Sequence, residues 1–301
     1  MNYRLILLIA FAVTMLGGIS SRAADAGLAL LQNEHAARPA GMGAAVVSIS
    51  VDPTVAVYNP AAAVGLDRFT ASFGHTIFWD NIRFESGAFG TRLWTDIYLH
   101  GNIRLASVDD LELRDDIPSE DPLGLFDSHD ISGKFGLAYR IDDRISAGFG
   151  IGWVYEKIES WRGAAFNIDL GAQAKLRPDL RVGVSVTGLG SDLTLTKDGA
   201  VSSRSIALPT TWRVGGSYRW RMILGAADFV LIDDDSHLHL GVEGAVHEYF
   251  KLRSGYMTGY DSKDFSAGVA FTMRDVTVDY AFLPFSNDLG TSHLFTVTFS
   301  L

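Results

Sequence analysis

The chain has 301 residues, 48% of them hydrophobic and 20% charged, with no cysteine and a formal net charge of −10. That charge argues against nucleic acid as a partner, since phosphate binding needs a basic surface. The missing thiols exclude disulfides, thiolate metal sites and lipidation at an N-terminal cysteine.

The chain opens with Arg4, an apolar run from Leu5 to Leu16, and the small-residue stretch Ser21-Arg22-Ala23-Ala24-Asp25-Ala26. This is the order of a secretory signal peptide, predicted over 1–26 with cleavage after Ala23 or Ala26. The run is shorter than the roughly 20 residues that an uncleaved membrane anchor needs. Cleavage after Ala23 leaves 23 basic against 35 acidic residues, a net charge of −12.

Residues 27–66 are small, apolar and poor in charge, which suits burial better than exposure. They include Gly41-Met42-Gly43, Asp52-Pro53-Thr54 and Tyr58-Asn59-Pro60-Ala61. Asp52 and Asn59 are good N-caps, each followed by proline at the first helical position, and Gly65 can close the second turn. The expected structure is a small helical plug, or hatch, in the lumen of a barrel.

From residue 67 to 301, apolar alternation recurs in segments of about ten residues, the length of tilted transmembrane strands. Fourteen are predicted, near 68–78, 81–91, 95–106, 130–141, 144–158, 164–176, 180–189, 211–220, 222–232, 236–247, 249–259, 263–273, 275–284 and 292–301. Tight turns such as Asp142-Asp143 and Arg274-Asp275 alternate with longer connections at 107–129, 190–210, 233–235, 260–262 and 285–291. That alternation is expected of bacterial barrels, with short turns on the periplasmic side, and is not required of a soluble sandwich. The fold class is therefore all-β: a transmembrane antiparallel barrel of about 14 strands with an N-terminal plug.

Period-two alternation sets lipid-facing residues such as Leu170, Leu240 and Phe295 against lumen-facing polar ones. The expected lumen set is Arg83, Glu85, Asp169, Lys175, Arg213, Arg219, Glu243 and Asp279, whose mixed signs favour ion pairs across the lumen over an ion-selective ring. Gly148, Gly150 and Gly152 share the inner face of one strand; either the plug packs there or small residues suit the curvature. In the 107–129 connection, Leu123, Leu125 and Phe126 form an apolar patch open to a partner or a lipid. The acidic clusters, among them Asp109-Asp110, Asp115-Asp116 and Glu120-Asp121, read as soluble loop surface.

Enzyme chemistry finds no support. There is no nucleophile-elbow sequence and no Ser/His/acid set. His237 and His239 share an inner face with Glu243, but two imidazoles without a further ligand make a weak metal site, and polarity near a loop explains them. No cofactor, metal or catalytic residue is expected.

The segment from Arg38 through Gly41-Met42-Gly43, Asp52 and Asn59-Pro60-Ala61 to Leu66 resembles the start of the PorV/PorQ family of outer-membrane proteins, related to FadL-type long-chain fatty-acid transporters. Further positions look alike, including Phe73-Gly74-His75-Thr76, Phe166-Asn167-Ile168-Asp169 and Asp279-Tyr280-Ala281-Phe282-Leu283-Pro284, so the resemblance spans nearly the whole mature chain. Ala44, Val51 and Leu301 depart from the family pattern. The resemblance implies an outer-membrane accessory of protein export, receiving or anchoring secreted proteins in a type IX secretion-like system. The alternative is a FadL-like diffusion channel in which a hydrophobic ligand passes a movable hatch. A third reading is a structural barrel without transport.

Overall fold

The computed structural model describes residues 29–78, 82–114, 120–198, 200–287 and 290–301. The expected signal peptide and the Asp115-Asp116 pair lie outside them. Sixteen strands follow one another: β1 (Thr70–Ile77), β2 (Arg83–Arg92), β3 (Ile97–Leu113), β4 (Gly124–Arg140), β5 (Ile145–Ile158), β6 (Trp161–Arg177), β7 (Leu180–Gly190), β8 (Leu193–Lys197), β9 (Ala200–Ile206), β10 (Thr211–Trp220), β11 (Ile223–Ile232), β12 (Asp235–Ala245), β13 (Phe250–Met257), β14 (Phe265–Met273), β15 (Val276–Pro284) and β16 (Thr291–Ser300). Fourteen of them close an antiparallel barrel in which β1 pairs with β16, β10 with β7, and β5 with β6. Closure leaves these strands no open edge within the membrane, as the absence of water there requires.

The alternation does the sorting between media. Phe73, Phe135, Ile151, Phe166, Leu240 and Phe295 are exposed on the outer face, while Lys134, Asp169, Glu243 and Asp279 are buried on the inner one. Short turns fall at one end, where Asp142 Oδ1 accepts the amides of Arg144 and Ile145, each at 2.8 Å. That end is periplasmic by the rule for such barrels.

Two expected external loops are more ordered than their composition suggests. β3 and β4, each of 17 residues, run far into the 107–129 connection, whereas β1 and β13 have only 8. The 190–210 connection folds into the β8–β9 hairpin, which pairs with β6 and buries Leu193 against Val154, Ala165 and Leu208. The external rim is thus tall on the β3–β6 side and low elsewhere.

Leu240 lies midway along β12, opposite Ala227 and Tyr256, on the lipid face. Leu240→Arg should cost about 2–4 kcal/mol near the bilayer midplane, measured by urea unfolding in lipid vesicles. Thr277→Arg, which lines a lumen cavity of about 310 Å³, should cost much less; equal costs would refute the face assignment.

Candidate functional site: the plugged lumen

Residues 29–66 run inside the barrel as two short helices, Ala29–Gln32 and Ala37–Gly41, followed by 3-10 turns Pro53–Val57 and Pro60–Ala63. Asp52 caps the first 3-10 turn by accepting the Thr54 amide at 2.9 Å, and Asn59 Oδ1 caps the second from Ala61 at 3.0 Å. Proline at the next position costs nothing there, since that amide would have no helical partner.

The plug's backbone is satisfied by lumen side chains. Asp228 Oδ2 accepts the amides of Val46 and Val47 at 2.7 and 2.8 Å, and Gln173 Nε2 donates to the carbonyls of Val47 and Ile49, both at 2.9 Å. The Ala37 amide donates to Thr296 Oγ1 at 2.9 Å, and Ser185 Oγ donates to the Tyr58 carbonyl at 2.7 Å. Asn59 contributes twice: besides its cap, Nδ2 donates to Val47 O at 2.7 Å and to Ala172 O of the wall at 3.2 Å.

Close approach is possible because the wall lacks side chains at the contact points. A Cβ at Gly148 would lie 2.3 Å from the Ala61 nitrogen, and one at Gly171 would lie 2.0 Å from Asn59 Oδ1. Of the three β5 glycines, Gly148 alone receives the plug; Gly150 and Gly152 face the Asp169 and Asn167 side chains. The first expectation for this wall thus applies to one position of three.

Beneath the plug runs an ionic chain. Arg38 pairs with Asp52 at 3.0 Å and Glu243 at 3.1 Å, while Arg253 pairs with the same Glu243 at 2.8 Å and also with Asp279. Burial works against the Arg38 charge, but Glu243 and Asp52 outweigh it and hold the guanidinium above its ordinary range. Burial pushes the His35 imidazole well below its usual range, reinforced by Arg104, so it is neutral at pH 7.

Gly41, Met42, Gly43, Asn59, Pro60 and Ala61 are all buried in this plug, with Asp52 at its edge. Asp169, Arg213, Glu243 and Asp279 point into the lumen, and Lys175 and Arg219 line cavities of about 230 and 320 Å³ at the short-turn mouth. Arg83 and Glu85 do not: they project outward, Glu85 to His75 at 2.7 Å and Arg83 to Asp109. The β2 alternation is inverted because Phe84 takes the inner face, packing on Phe78 with ring centroids 5.1 Å apart. At the external end of a strand an outward charge meets water, so it carries no lipid penalty. Leu123 and Leu125 are exposed and Phe126 half-buried, the last two on β4 rather than in a loop. His237 stacks on Tyr260 at 3.9 Å and His239 Nε2 meets its hydroxyl at 2.9 Å, which gives both imidazoles partners.

Sequence reasoning set Gln173 on the inner face without a role there, and missed Asp228 as a plug anchor and Lys134 and Arg253 as the partners of Asp169, Glu243 and Asp279. Asp228 had left a signal, a lone acid in the otherwise apolar run Ile223 to Ile232.

No protein-family model and no curated protein matches the chain. Its backbone superposes on the toluene transporter TbuX of Ralstonia pickettii with a TM-score of 0.61 at 14% identity, over 88% of this chain and 98% of that one. The toluene transporter TodX of Pseudomonas putida gives 0.63 at 11% identity, over 86% and 95%, and a FadL homologue of Pseudomonas aeruginosa gives 0.60 at 11%, over 88% and 98%. The likeness is one of fold. Two of these neighbours are described as toluene transporters and the third as a FadL homologue, and none lends support to the export-accessory expectation.

Asn59→Ala removes a cap worth about 1–2 kcal/mol along with two anchors. Flux of small sugars into liposomes should rise while heat-modified gel mobility persists; unchanged flux would show that the plug does not limit passage. At the periplasmic tip, Val51 is exposed with φ +67, a left-handed conformation that costs a β-branched residue about 1–2 kcal/mol. Val51→Gly should raise the midpoint of thermal unfolding, read by circular dichroism.

Proposed function

We propose that the protein is a non-enzymatic outer-membrane channel for hydrophobic small molecules, exported by a cleaved signal peptide and gated by the 27–66 segment. The observation that carries this reading is the segment packed inside the barrel. The barrel, of the fold shared with the toluene transporters above, holds within it the segment that carries Asn59-Pro60-Ala61. The plug is held by hydrogen bonds, ion pairs and backbone contact, and its covalent connection to the wall is the chain itself, through residues 67–69 into β1. Cavities of about 310, 320 and 230 Å³ border Val51 at the periplasmic mouth, where a solute passing the plug would emerge. In this role the Gly41–Gly43 and Asp52–Ala61 residues form the gate, and the inward charges fix its resting position.

The export-accessory role retains the sequence resemblance as its only support. Toluene is the first probe. A Gram-negative host without a hydrocarbon channel of its own should take up radiolabelled toluene faster when it expresses this protein; equal uptake with and without expression would sink the proposal. Secreted proteins co-purifying from native outer membranes in mild detergent, with no gain in uptake, would return the export role to first place.

A further inference from the structure

Above the plug, on the external side, lies a second chamber of about 50 Å³, bounded by the plug's His35 and Tyr58 and by Arg104, Lys134, Asn167 and Arg213 of the wall. Its charges do not balance. Lys134 is paired with Asp169 at 2.5 Å, and Glu34 with Lys263 at 3.2 Å. Arg104 and Arg213 have no carboxylate within ion-pair distance among the described residues. Arg104 is 3% exposed and makes only long contacts, to the Leu30 carbonyl at 3.3 Å and Ser132 Oγ at 3.4 Å, leaving Nε without a partner. Arg213 lies 5.0 Å over the Tyr58 ring, with Nη1 unpartnered. Asn167, 2% exposed, has neither its amide oxygen nor its nitrogen satisfied.

A guanidinium cannot shed its charge at any physiological pH, so burial obliges it to find a counter-charge. The acids nearby are already committed: Asp169 also accepts the Gly188 amide at 2.8 Å. We propose that this chamber is a binding site for one small oxyanion, carboxylate- or phosphate-sized, held by Arg104 and Arg213 with Asn167 donating an amide hydrogen. The planar fork of arginine matches an oxyanion's paired oxygens. The volume suits it as well, since it holds about four waters, or one oxyanion of similar bulk. The bound group would touch both the plug, through His35 and Tyr58, and the wall. The site does not depend on the transport reading, because it follows from charge and space alone.

The ligand has two possible sources, a free inorganic ion or the acidic end of an organic solute. Full-length protein in detergent micelles would be titrated calorimetrically with sodium phosphate, sodium acetate and sodium benzoate, with sodium chloride at matched ionic strength as the reference. Saturable one-to-one binding of phosphate alone would assign a free inorganic ion, and binding of acetate or benzoate the carboxylate end of a solute. In either case Arg213→Met should weaken affinity about ten- to hundred-fold, as expected for a lost charged hydrogen bond, and Arg213→Lys should restore part of it. Arg104→Met should do the same, and because Arg104 is the more buried, the Arg213 pair stands if that variant fails to fold. Heats no different from chloride for all three salts, or binding unchanged in Arg213→Met, would overturn the site.

Discussion

A peptide placed inside a barrel has no sheet to pair with, so the amides and carbonyls that its own short turns leave unpaired need partners from the wall. That requirement organises the lumen. Asp228, Gln173, Ser185 and Thr296 are where they are because Val46, Val47, Ile49, Tyr58 and Ala37 present unpaired backbone groups to them. Glycines let the two backbones approach, and the Arg38–Glu243–Arg253–Asp279 chain neutralises the charges that a polar wall brings. A plug bound in this way is specific in register yet made of individually modest bonds, each worth about a kcal/mol net. A gate needs such a balance.

Much of the fold was legible because lipid and water impose opposite demands on alternate residues of a strand. Strand β12, with Leu238, Leu240 and Val242 against His237, His239 and Glu243, could be read without a structure. The plug's caps were legible for a local reason: Asp52 and Asn59 each stand before a proline. Where the solvent is water on both sides, the rule fails. Arg83 and Glu85 sit above the lipid, so polarity no longer marks the inside, and the apolar Phe84 is free to fill the lumen. The anchors escaped for a different reason. Gln173 was visible as a polar residue, but the carbonyls that give it meaning lie more than a hundred positions away in the chain, while Arg253 finds Glu243 and Asp279 only 10 and 26 positions away, on other strands whose register the sequence does not state.

The chamber above the plug and the cavities below it differ in character. The upper one is tight and holds two arginines without acid partners, while the lower ones are several times larger and border the strained corner at Val51. The plug therefore separates a small, charged chamber from larger cavities at the short-turn mouth.

The plug's fastenings also say something about assembly. Its contacts with Thr296, Ser266 and Glu243 join residues separated by 259, 223 and 205 positions. The same C-terminal third supplies β16, which closes the barrel on β1. Contacts so distant in sequence form late, because the chain must first meet their loop-closure entropy. The plug's bonds to the C-terminal third thus share with barrel closure the need for that third to be in place, whereas its bonds to Ala172, Gln173 and Ser185 span only 113 to 127 positions. The first segment of the described chain and the last strand are therefore held to one another as well as to the wall between them.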